Sequence, residues 1–442
     1  MKRLTRRELL AMGRDVSAGL AAGALLPLTG CHHRMEQQSS TRVIVPGLTP
    51  LGEGSLKAHA LDANLLSGSA VDVHALRMDG RYRGLVAEQC SIIVAENAMK
   101  WAALRPAPDV FEFADADYLV DFAEKNDIKL RGHNLVWHLA LPSWFKDTVF
   151  KGNAQKMLTE HIATVAGRYA GRIHSWDVVN EAIDVNDQRP DGLRKTVWLE
   201  LIGEDYIEVA FRAARQADPS ALLTYNEYGI ERDNYASDQK RAQVLLLLRR
   251  MKARNVPIDA VGIQSHLPAE ALNTSGNYLG VAHFIAEVRA MGLQVFITEM
   301  DVSDSAIQGD QRERNRAVAA TYSDYLHVVL ADPAVKAVLT WGLSGSHSWL
   351  NHEQPRVDHS ALQPLPFDGE YKTLPAFFAM REAFDGRLAS LKNPPAAAVD
   401  PWAPFTPRPK TAAKPDDKTP AVKKPVPAPA STLPAMPTTQ KN

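Results

Sequence analysis

The stretch Asp177-Val-Val-Asn-Glu-Ala182 closes an apolar, β-rich run and places Glu181 directly after Asn180. A second stretch, Ile297-Thr-Glu-Met-Asp301, places Glu299 in the same kind of setting. Either glutamate alone is a weak signal, because most carboxylates are solvated surface groups. Two carboxyl groups at the ends of two strands are the minimum requirement for cleaving a glycosidic bond, where one protonates the leaving oxygen and the other attacks or activates water.

Eight short apolar or β-branched runs along the chain predict strands buried on both faces. These runs are Gly68–Asp72, Ser91–Ala98, Lys129–Trp137, Ile173–Glu181, Leu222–Tyr228, Ala260–His266, Gln294–Asp301 and Ala337–Ser344. Stretches with helical spacing lie between them, including Ala116–Asn126, Gln239–Arg254, Val281–Met291 and Asn315–Leu330. Strand–helix alternation predicts parallel strands covered by helices, and eight units in roughly 330 residues fit one α/β domain, a (β/α)8 TIM barrel.

Polar and aromatic residues lie toward the carboxyl ends of most of these runs. They are Glu96, Asn97, His133, Trp137, Asn180, Glu181, Asn226, Gln264, His266, Glu299, Asp301 and Trp341. In a barrel of this kind the active site lies at the carboxyl ends of the strands. A single residue of this kind is typical of any barrel loop and indicates no function. The whole set, in contrast, predicts a sugar-binding active site.

Eight segments in order resemble the glycoside hydrolase family 10 endo-β-1,4-xylanases, from about Leu65 to Leu391. The segments are Gly68-Ser-Ala-Val-Asp72, Glu96-Asn-Ala-Met-Lys-Trp101, Arg131-Gly-His-Asn-Leu-Val-Trp-His138, Leu141-Pro-Ser-Trp144, Trp176-Asp-Val-Val-Asn-Glu-Ala182, Gly262-Ile-Gln-Ser-His266, Ile297-Thr-Glu-Met-Asp301, and Trp341-Gly-Leu-Ser344 with Ser348-Trp349. The resemblance implies a retaining enzyme that hydrolyses internal β-1,4-xylosidic bonds of xylan by double displacement.

The same resemblance implies roles for particular residues. Glu181 is expected to be the acid/base and Glu299 the nucleophile, with Asn180 and His266 beside them. The residues expected to line the xylose subsites are Glu96, Asn97, Lys100, His133, Trp137, Gln264, Trp341 and Trp349. Two alternatives stay open: a non-catalytic surface protein that binds xylan, and a glycosidase acting on a related β-glucan.

Elementary chemistry agrees with these expectations. Glu299 must be ionised to attack, and His266 at the end of the preceding strand can supply a hydrogen bond to it. Asn180 can bond the 2-hydroxyl of the sugar being cleaved, a contact that strengthens in the transition state. The rings of Trp137, Trp341 and Trp349 offer flat faces to pyranose rings.

Three positions depart from the family pattern. Leu139 and Ala140 stand where a serine and a glutamine are usual, and Gly345 replaces an acidic residue. Because the glutamine helps to hold sugar hydroxyls on the non-reducing side, we expect a weakened subsite there.

No cofactor or metal is expected. His133 and His138 lie five residues apart on one predicted strand, so they point to opposite faces and do not form a shared metal site. No phosphate-binding or dinucleotide fingerprint follows a predicted strand. The net charge of −1 gives no indication of nucleic-acid binding.

The amino-terminal residues 1–31 predict an export signal that ends in a lipoprotein cleavage box. Thr5-Arg-Arg-Glu-Leu-Leu10 is close to a twin-arginine motif, and an apolar run, Val16–Leu28, follows it. Leu28-Thr-Gly-Cys31 predicts lipidation of Cys31. The protein is therefore expected to be exported, periplasmic or at the cell surface, with a lipid anchor in a membrane. The alternatives are an ordinary basic leader and a chance cysteine near a cleavage site.

The rest of the chain divides by composition. Residues 32–56 predict a polar tether, residues 57–391 the catalytic domain, and residues 392–442 a disordered tail rich in proline, alanine and lysine. The tail is expected to be solvated, with a spacer or a wall-contacting segment as alternatives. Cys90 is the second of two cysteines and is expected to be a lone buried thiol. We expect a monomer.

Overall fold

A parallel barrel forms the centre of the computed structural model, which describes residues 51–269 and 278–392. Its described strands are β1 (Leu66–Val71), β2 (Ile92–Ala95), β3 (Lys129–Val136), β4 (Ser175–Asn180), β5 (Leu222–Glu227), β6 (Ala260–Ile263), β7 (His266–Pro268), β8 (Gln294–Ser303) and β9 (Val335–Thr340). Strands β1 to β6 pair in sequence order, β1 also pairs with β9, β9 with β8, and β8 with β6, which closes the barrel. All of these pairings are parallel. The predicted (β/α)8 barrel is confirmed, with each of the eight predicted strands in place.

Helices surround the barrel. The described helices are α1 (Leu56–Asp62), α2 (Val73–Met78), α3 (Gly80–Gln89), α4 (Trp101–Leu104), α5 (Ala114–Lys125), α6 (Phe145–Thr148), α7 (Ala154–Arg168), α8 (Val197–Ile202), α9 (Tyr206–Ala217), α10 (Tyr235–Ala253), α11 (Leu279–Ala290), α12 (Gln311–Val329), α13 (Leu350–Glu353) and α14 (Pro375–Lys392). The four predicted helices correspond to α5, α10, α11 and α12. Side chains cap several of them: Asn234 accepts from Ser237 N to begin α10, and Asp310 forms a capping box with Glu313 in α12.

The apolar core has two layers. Inside the barrel, Ile92, Val94, Phe296 and Leu339 pack together below Trp341. A larger layer fills the space between the strands and the surrounding helices. This arrangement leaves the polar side chains at the carboxyl ends of the strands as the open face of the barrel.

Seven of the eight predicted strands end one to four residues earlier than expected, and in two of these cases a left-handed residue interrupts the predicted run. The run predicted as Ala260–His266 breaks at Ser265, whose φ is +66°, and His266 then starts the separate strand β7, which pairs with β8. The run predicted as Ile173–Glu181 ends at Asn180, because Glu181 has a φ of +58°. A non-glycine residue in this region cannot continue a strand.

The described residues include the last part of the predicted tether: residues 52–54 form a 3₁₀ turn and Leu56 begins α1. The predicted export signal, Cys31 and most of the predicted tail lie outside the described residues. Within the part of the chain that the structure describes, Cys90 is a free, buried thiol, and burial raises its pKa to about 12. Among the described helices, none has the length and apolar character needed to cross a bilayer.

Candidate active site

The backbone of Glu181 is held from both sides. Its N–H donates to Asn226 O at 2.9 Å, and Arg194 Nε donates to its carbonyl oxygen at 2.9 Å. A left-handed conformation costs an L-residue about 1–2 kcal/mol, so these contacts fix a turn that the chain does not favour on its own. The turn aims the carboxyl group across the open end of the barrel.

Three donors surround the side chain of Glu181. Trp137 Nε1 donates to Oε2 at 3.0 Å, while Asn180 Nδ2 and Gln264 Nε2 donate to Oε1 at 3.1 and 3.0 Å. The carboxyl group therefore has a defined orientation before any sugar is bound. This is what a proton donor needs, because transfer to a leaving oxygen depends on position.

Glu299 is 5 % exposed and has a different set of partners. Asn226 Nδ2 donates to Oε1 at 2.7 Å, and His266 Nε2 lies 3.3 Å from Oε2. Burial acts to raise the pKa of Glu299, but the hydrogen bond from His266 and the charges of His133 and His266 outweigh it and lower the pKa. The side chain is thus kept as an anionic carboxylate, the form that a nucleophile requires.

His266 is fixed in turn by Asp301. Its Nδ1 donates to Asp301 Oδ1 at 2.9 Å, and Trp349 Nε1 donates to Asp301 Oδ2 at 2.7 Å. The His266 and Trp349 rings pack edge to face with centroids 5.2 Å apart. Burial lowers the pKa of His266, but Asp301 and Glu299 more than compensate and raise the pKa well above its ordinary value. A protonated His266 is a donor at both ring nitrogens.

An amide bridge connects the two glutamates. Asn226 Nδ2 donates to Asn180 Oδ1 at 2.9 Å as well as to Glu299, and Asn180 Nδ2 donates to Glu181. Thr298 Oγ1 donates to Asn226 Oδ1 at 2.7 Å and fixes which way that amide points. Gly262 makes room for it, because a Cβ at position 262 would lie 2.1 Å from Asn226 Oδ1.

Beneath this bridge lies a buried charge cluster. Asp177 accepts from His133 Nδ1 at 2.9 Å and from the guanidinium of Arg131. Burial acts to raise the pKa of Asp177, but Arg131 and His133 outweigh it and lower the pKa. The His133 ring packs edge to face against Trp341 at a centroid distance of 5.3 Å, so the cluster also supports the floor of the site.

Glu96, Asn97 and Lys100 form a hydrogen-bonded chain at one side of the site. Lys100 Nζ donates to Asn97 Oδ1 at 2.8 Å and lies 5.3 and 5.9 Å from the ring centres of Trp137 and Trp341. Burial, followed by repulsion from Asp72, raises the pKa of Glu96 to about 7. Burial also lowers the pKa of Lys100, against the pull of Glu299 and Glu96.

The structure brings every predicted catalytic and sugar-binding residue of the barrel to one face. Trp341 is 9 % exposed, so most of its ring is used in packing. The sequence places Asn226 and Asp301 at strand ends but gives them no specific role, and it gives no role to a further set of residues that the structure brings into the network. These are Thr298, Asp177, Arg131 and Arg194. The available signal was a polar residue within an otherwise apolar strand, since buried polar groups need partners.

The departures from the family pattern lie in the segments that follow β3 and β9. Ala140 has a φ of +52° and its carbonyl accepts from Ala102 N at 3.0 Å, whereas Leu139 is 52 % exposed. Gly345 begins a short 3₁₀ turn and lines a cavity of about 430 Å³ beside the Trp349 segment. Within residues 51–269 and 278–392, no group of three or more His, Cys, Asp or Glu side chains is arranged to hold a metal ion.

Comparison with known proteins gives one consistent family. The sequence profile described as Glycosyl hydrolase family 10 matches residues 55–383. Endo-1,4-beta-xylanase A of Caldicellulosiruptor sp. (strain Rt8B.4) is 38 % identical over 288 residues, which are 62 % of this chain and 41 % of that protein. Endo-1,4-beta-xylanase B of Thermotoga neapolitana is 32 % identical over 70 % of this chain and 84 % of its own length.

A solved structure extends the comparison to three dimensions. The crystal structure of xylanase 10B from Thermotoga petrophila RKU-1 in complex with xylobiose superposes with a TM-score of 0.68 at 32 % identity, covering 77 % of this chain and 99 % of that one. The family suggested by the motifs is therefore confirmed, and the chain belongs to glycosyl hydrolase family 10.

Proposed function

We propose that this protein is a retaining endo-β-1,4-xylanase that hydrolyses internal β-1,4-xylosidic bonds of xylan. The observation that carries the proposal is the pair Glu181 and Glu299, joined through the Asn180–Asn226 bridge but given different partners. Glu299 has two donors and a lowered pKa, as a nucleophile needs. Glu181 is oriented toward the cleft by Trp137 and Gln264, as an acid/base needs.

In the first step, an oxygen of Glu299 attacks the anomeric carbon while Glu181 gives its proton to the departing glycosidic oxygen. The C–O bond to the leaving sugar breaks and a glycosyl ester of Glu299 forms. In the second step, Glu181 removes a proton from water, the water oxygen bonds to the anomeric carbon, and Glu299 leaves as a carboxylate. Two inversions give net retention.

The residues around the glutamates suit a polymer of neutral sugars. Glu96, Asn97, Lys100 and Gln264 offer donors and acceptors to hydroxyl groups, and Trp137 and Trp349 offer ring faces and edges. The named activity of the relatives and the xylobiose bound in the Thermotoga petrophila structure support xylan as the substrate. We favour hydrolysis over simple binding because both glutamates and their donors are in place.

The deciding assay is release of reducing ends from xylan, arabinoxylan and cellulose, with Glu299→Gln as a matched inactive variant. We expect activity on the two xylans that the variant lacks. Binding to xylan without release of sugar would instead support the non-catalytic alternative. Preferential cleavage of cellulose or another β-glucan would support the second alternative, a glycosidase that acts on a related β-glucan.

The amino-terminal motifs support a further part of the proposal: export, with a lipid anchor at Cys31 and a monomeric enzyme held in a membrane. Each buried methylene of an acyl chain contributes about 0.8 kcal/mol, and more than one chain is needed for stable anchoring. Cys31→Ser should release active enzyme into soluble fractions with unchanged kinetics. An unmodified amino terminus on soluble wild-type protein outside the cytoplasm would contradict the anchor and leave the barrel assignment intact.

A further inference from the structure

Glu227 is a fully buried carboxylate that the proposed chemistry does not use. It ends β5 directly after Asn226 and has 0 % exposure. Lys240 Nζ, from the first turns of α10, lies 2.8 Å from its Oε1, and Tyr225 OH donates to its Oε2. Lys240 is itself 6 % exposed. An ion pair this deep costs much desolvation, so it is weak as a source of stability and calls for another role.

The remaining contacts of Glu227 point to that role. Its Oε2 accepts from the backbone N–H of Ile183 at 3.1 Å, and its Oε1 accepts from the N–H of Tyr228 at 3.2 Å. Ile183 follows Glu181 by two residues, within the segment that leaves the left-handed turn. Glu227 therefore fixes the backbone two residues after Glu181, the residue whose position matters most for proton transfer.

Arg194 binds the same segment through a second set of hydrogen bonds. Its Nε donates to the carbonyl of Glu181 at 2.9 Å, and one of its terminal nitrogens donates to Tyr228 OH at 2.8 Å. Lys240 Nζ lies 3.5 Å from the centre of the Tyr228 ring. The carboxylate of Glu227 and the two cations thus form one framework around the turn at Glu181.

We propose that the buried Glu227–Lys240 ion pair is a positioning device that holds the left-handed turn of Glu181, so that its carboxyl group meets the leaving oxygen. The inference rests on the proposed role of Glu181 as acid/base. Glu227 is fully buried, and its contact with this segment is the hydrogen bond from the backbone N–H of Ile183. Its loss should therefore harm proton donation more than nucleophilic attack by Glu299.

The test compares two aryl β-xylobiosides, one with phenol as a poor leaving group and one with 2,4-dinitrophenol as a good one, and measures kcat/KM for each. Proton donation matters for the first and little for the second, and general acid catalysis is worth about 10²–10⁴-fold. Glu227→Gln should lower kcat/KM on the phenyl substrate by about tenfold or more, and on the dinitrophenyl substrate by less than about threefold. Equal losses on both substrates, or no loss on either, would overturn the proposal.

Matched variants separate the possible explanations. Glu181→Ala must itself show the leaving-group dependence. If it does not, the acid/base role is wrong, whereas if it does and Glu227→Gln does not, only the present inference fails. Asp304→Asn breaks another buried ion pair, with Arg314 at 3.0 Å, and should affect both substrates equally.

If Glu227→Gln does not fold, Glu227→Asp keeps the charge but shortens the reach to Ile183, and it should show the same leaving-group dependence to a smaller degree. Its absence in a folded Glu227→Asp protein counts against the proposal.

Discussion

Asn226 donates a 2.7 Å hydrogen bond to Oε1 of Glu299, and the same amide nitrogen lies 2.9 Å from Asn180. Hydrogen bonds to charged groups contribute about 1.5–3 kcal/mol, so Asn226→Ala should lower kcat/KM by roughly ten- to a hundredfold. Thr298→Val removes only the partner that orients Asn226 and should cost less. Steady-state kinetics on xylohexaose would show the order, and a loss with Thr298→Val that exceeds the loss with Asn226→Ala would contradict this reading of the bridge.

The acid limb of the pH profile should depend on His266. The pKa of Glu299 is lower in the folded protein than in the unfolded chain. The ionised carboxylate therefore contributes stability in full at pH values above the unfolded pKa. That contribution is lost as the pH falls through the lower folded pKa. His266→Gln removes the principal cause of the lowering. The acid limb of kcat/KM should therefore move to higher pH. A limb that stays in place in a folded variant would mean that other donors set the charge of Glu299.

Glu96 should make stability depend on pH in the opposite direction. Its folded pKa of about 7 exceeds its ordinary 4.5, so between these values the folded protein holds a proton that the unfolded chain has released. Stability therefore falls as the pH rises through this window. Glu96→Gln should gain stability over wild type by about 3 kcal/mol between pH 4.5 and 7.5. Urea unfolding at both pH values measures the change, and a constant difference would contradict it.

Ala140 should limit the binding of short substrates. Its side chain can neither donate nor accept, whereas a glutamine does both. One restored hydrogen bond is worth about 0.5–1.5 kcal/mol, so Ala140→Gln should raise kcat/KM on xylotriose by a few-fold. Ala140→Leu keeps most of the added bulk without the amide and should give no gain. An equal gain from leucine would show that apolar contact, rather than hydrogen bonding, was missing.

The barrel could be predicted from sequence because its strands are short, largely apolar runs, and most of them have a polar or aromatic residue at or just beyond the carboxyl end. The same pattern identified Glu181 and Glu299. What it could not supply was pairing across the barrel: Thr298 meets Asn226 from 72 positions away, and Asp177 meets Arg131 from 46. Those contacts depend on strand register, which a single sequence does not reveal.

The left-handed turn at Glu181 was also beyond sequence reasoning. Glutamate carries no local preference for this conformation, unlike glycine or asparagine. The turn exists because Asn226, Arg194 and Glu227 hold the segment from several sides. Tertiary contacts, rather than local propensity, decide the geometry at the proposed acid/base.

The central claim is that Glu299 forms a covalent glycosyl intermediate and Glu181 serves as acid and then as base. Proton NMR of the anomeric signals, recorded within the first minutes of xylohexaose hydrolysis, tests this directly. The account predicts that the β-anomer forms first and that the α-anomer appears later by mutarotation. If the α-anomer forms first, the enzyme inverts, and the roles assigned to Glu181 and Glu299 are wrong.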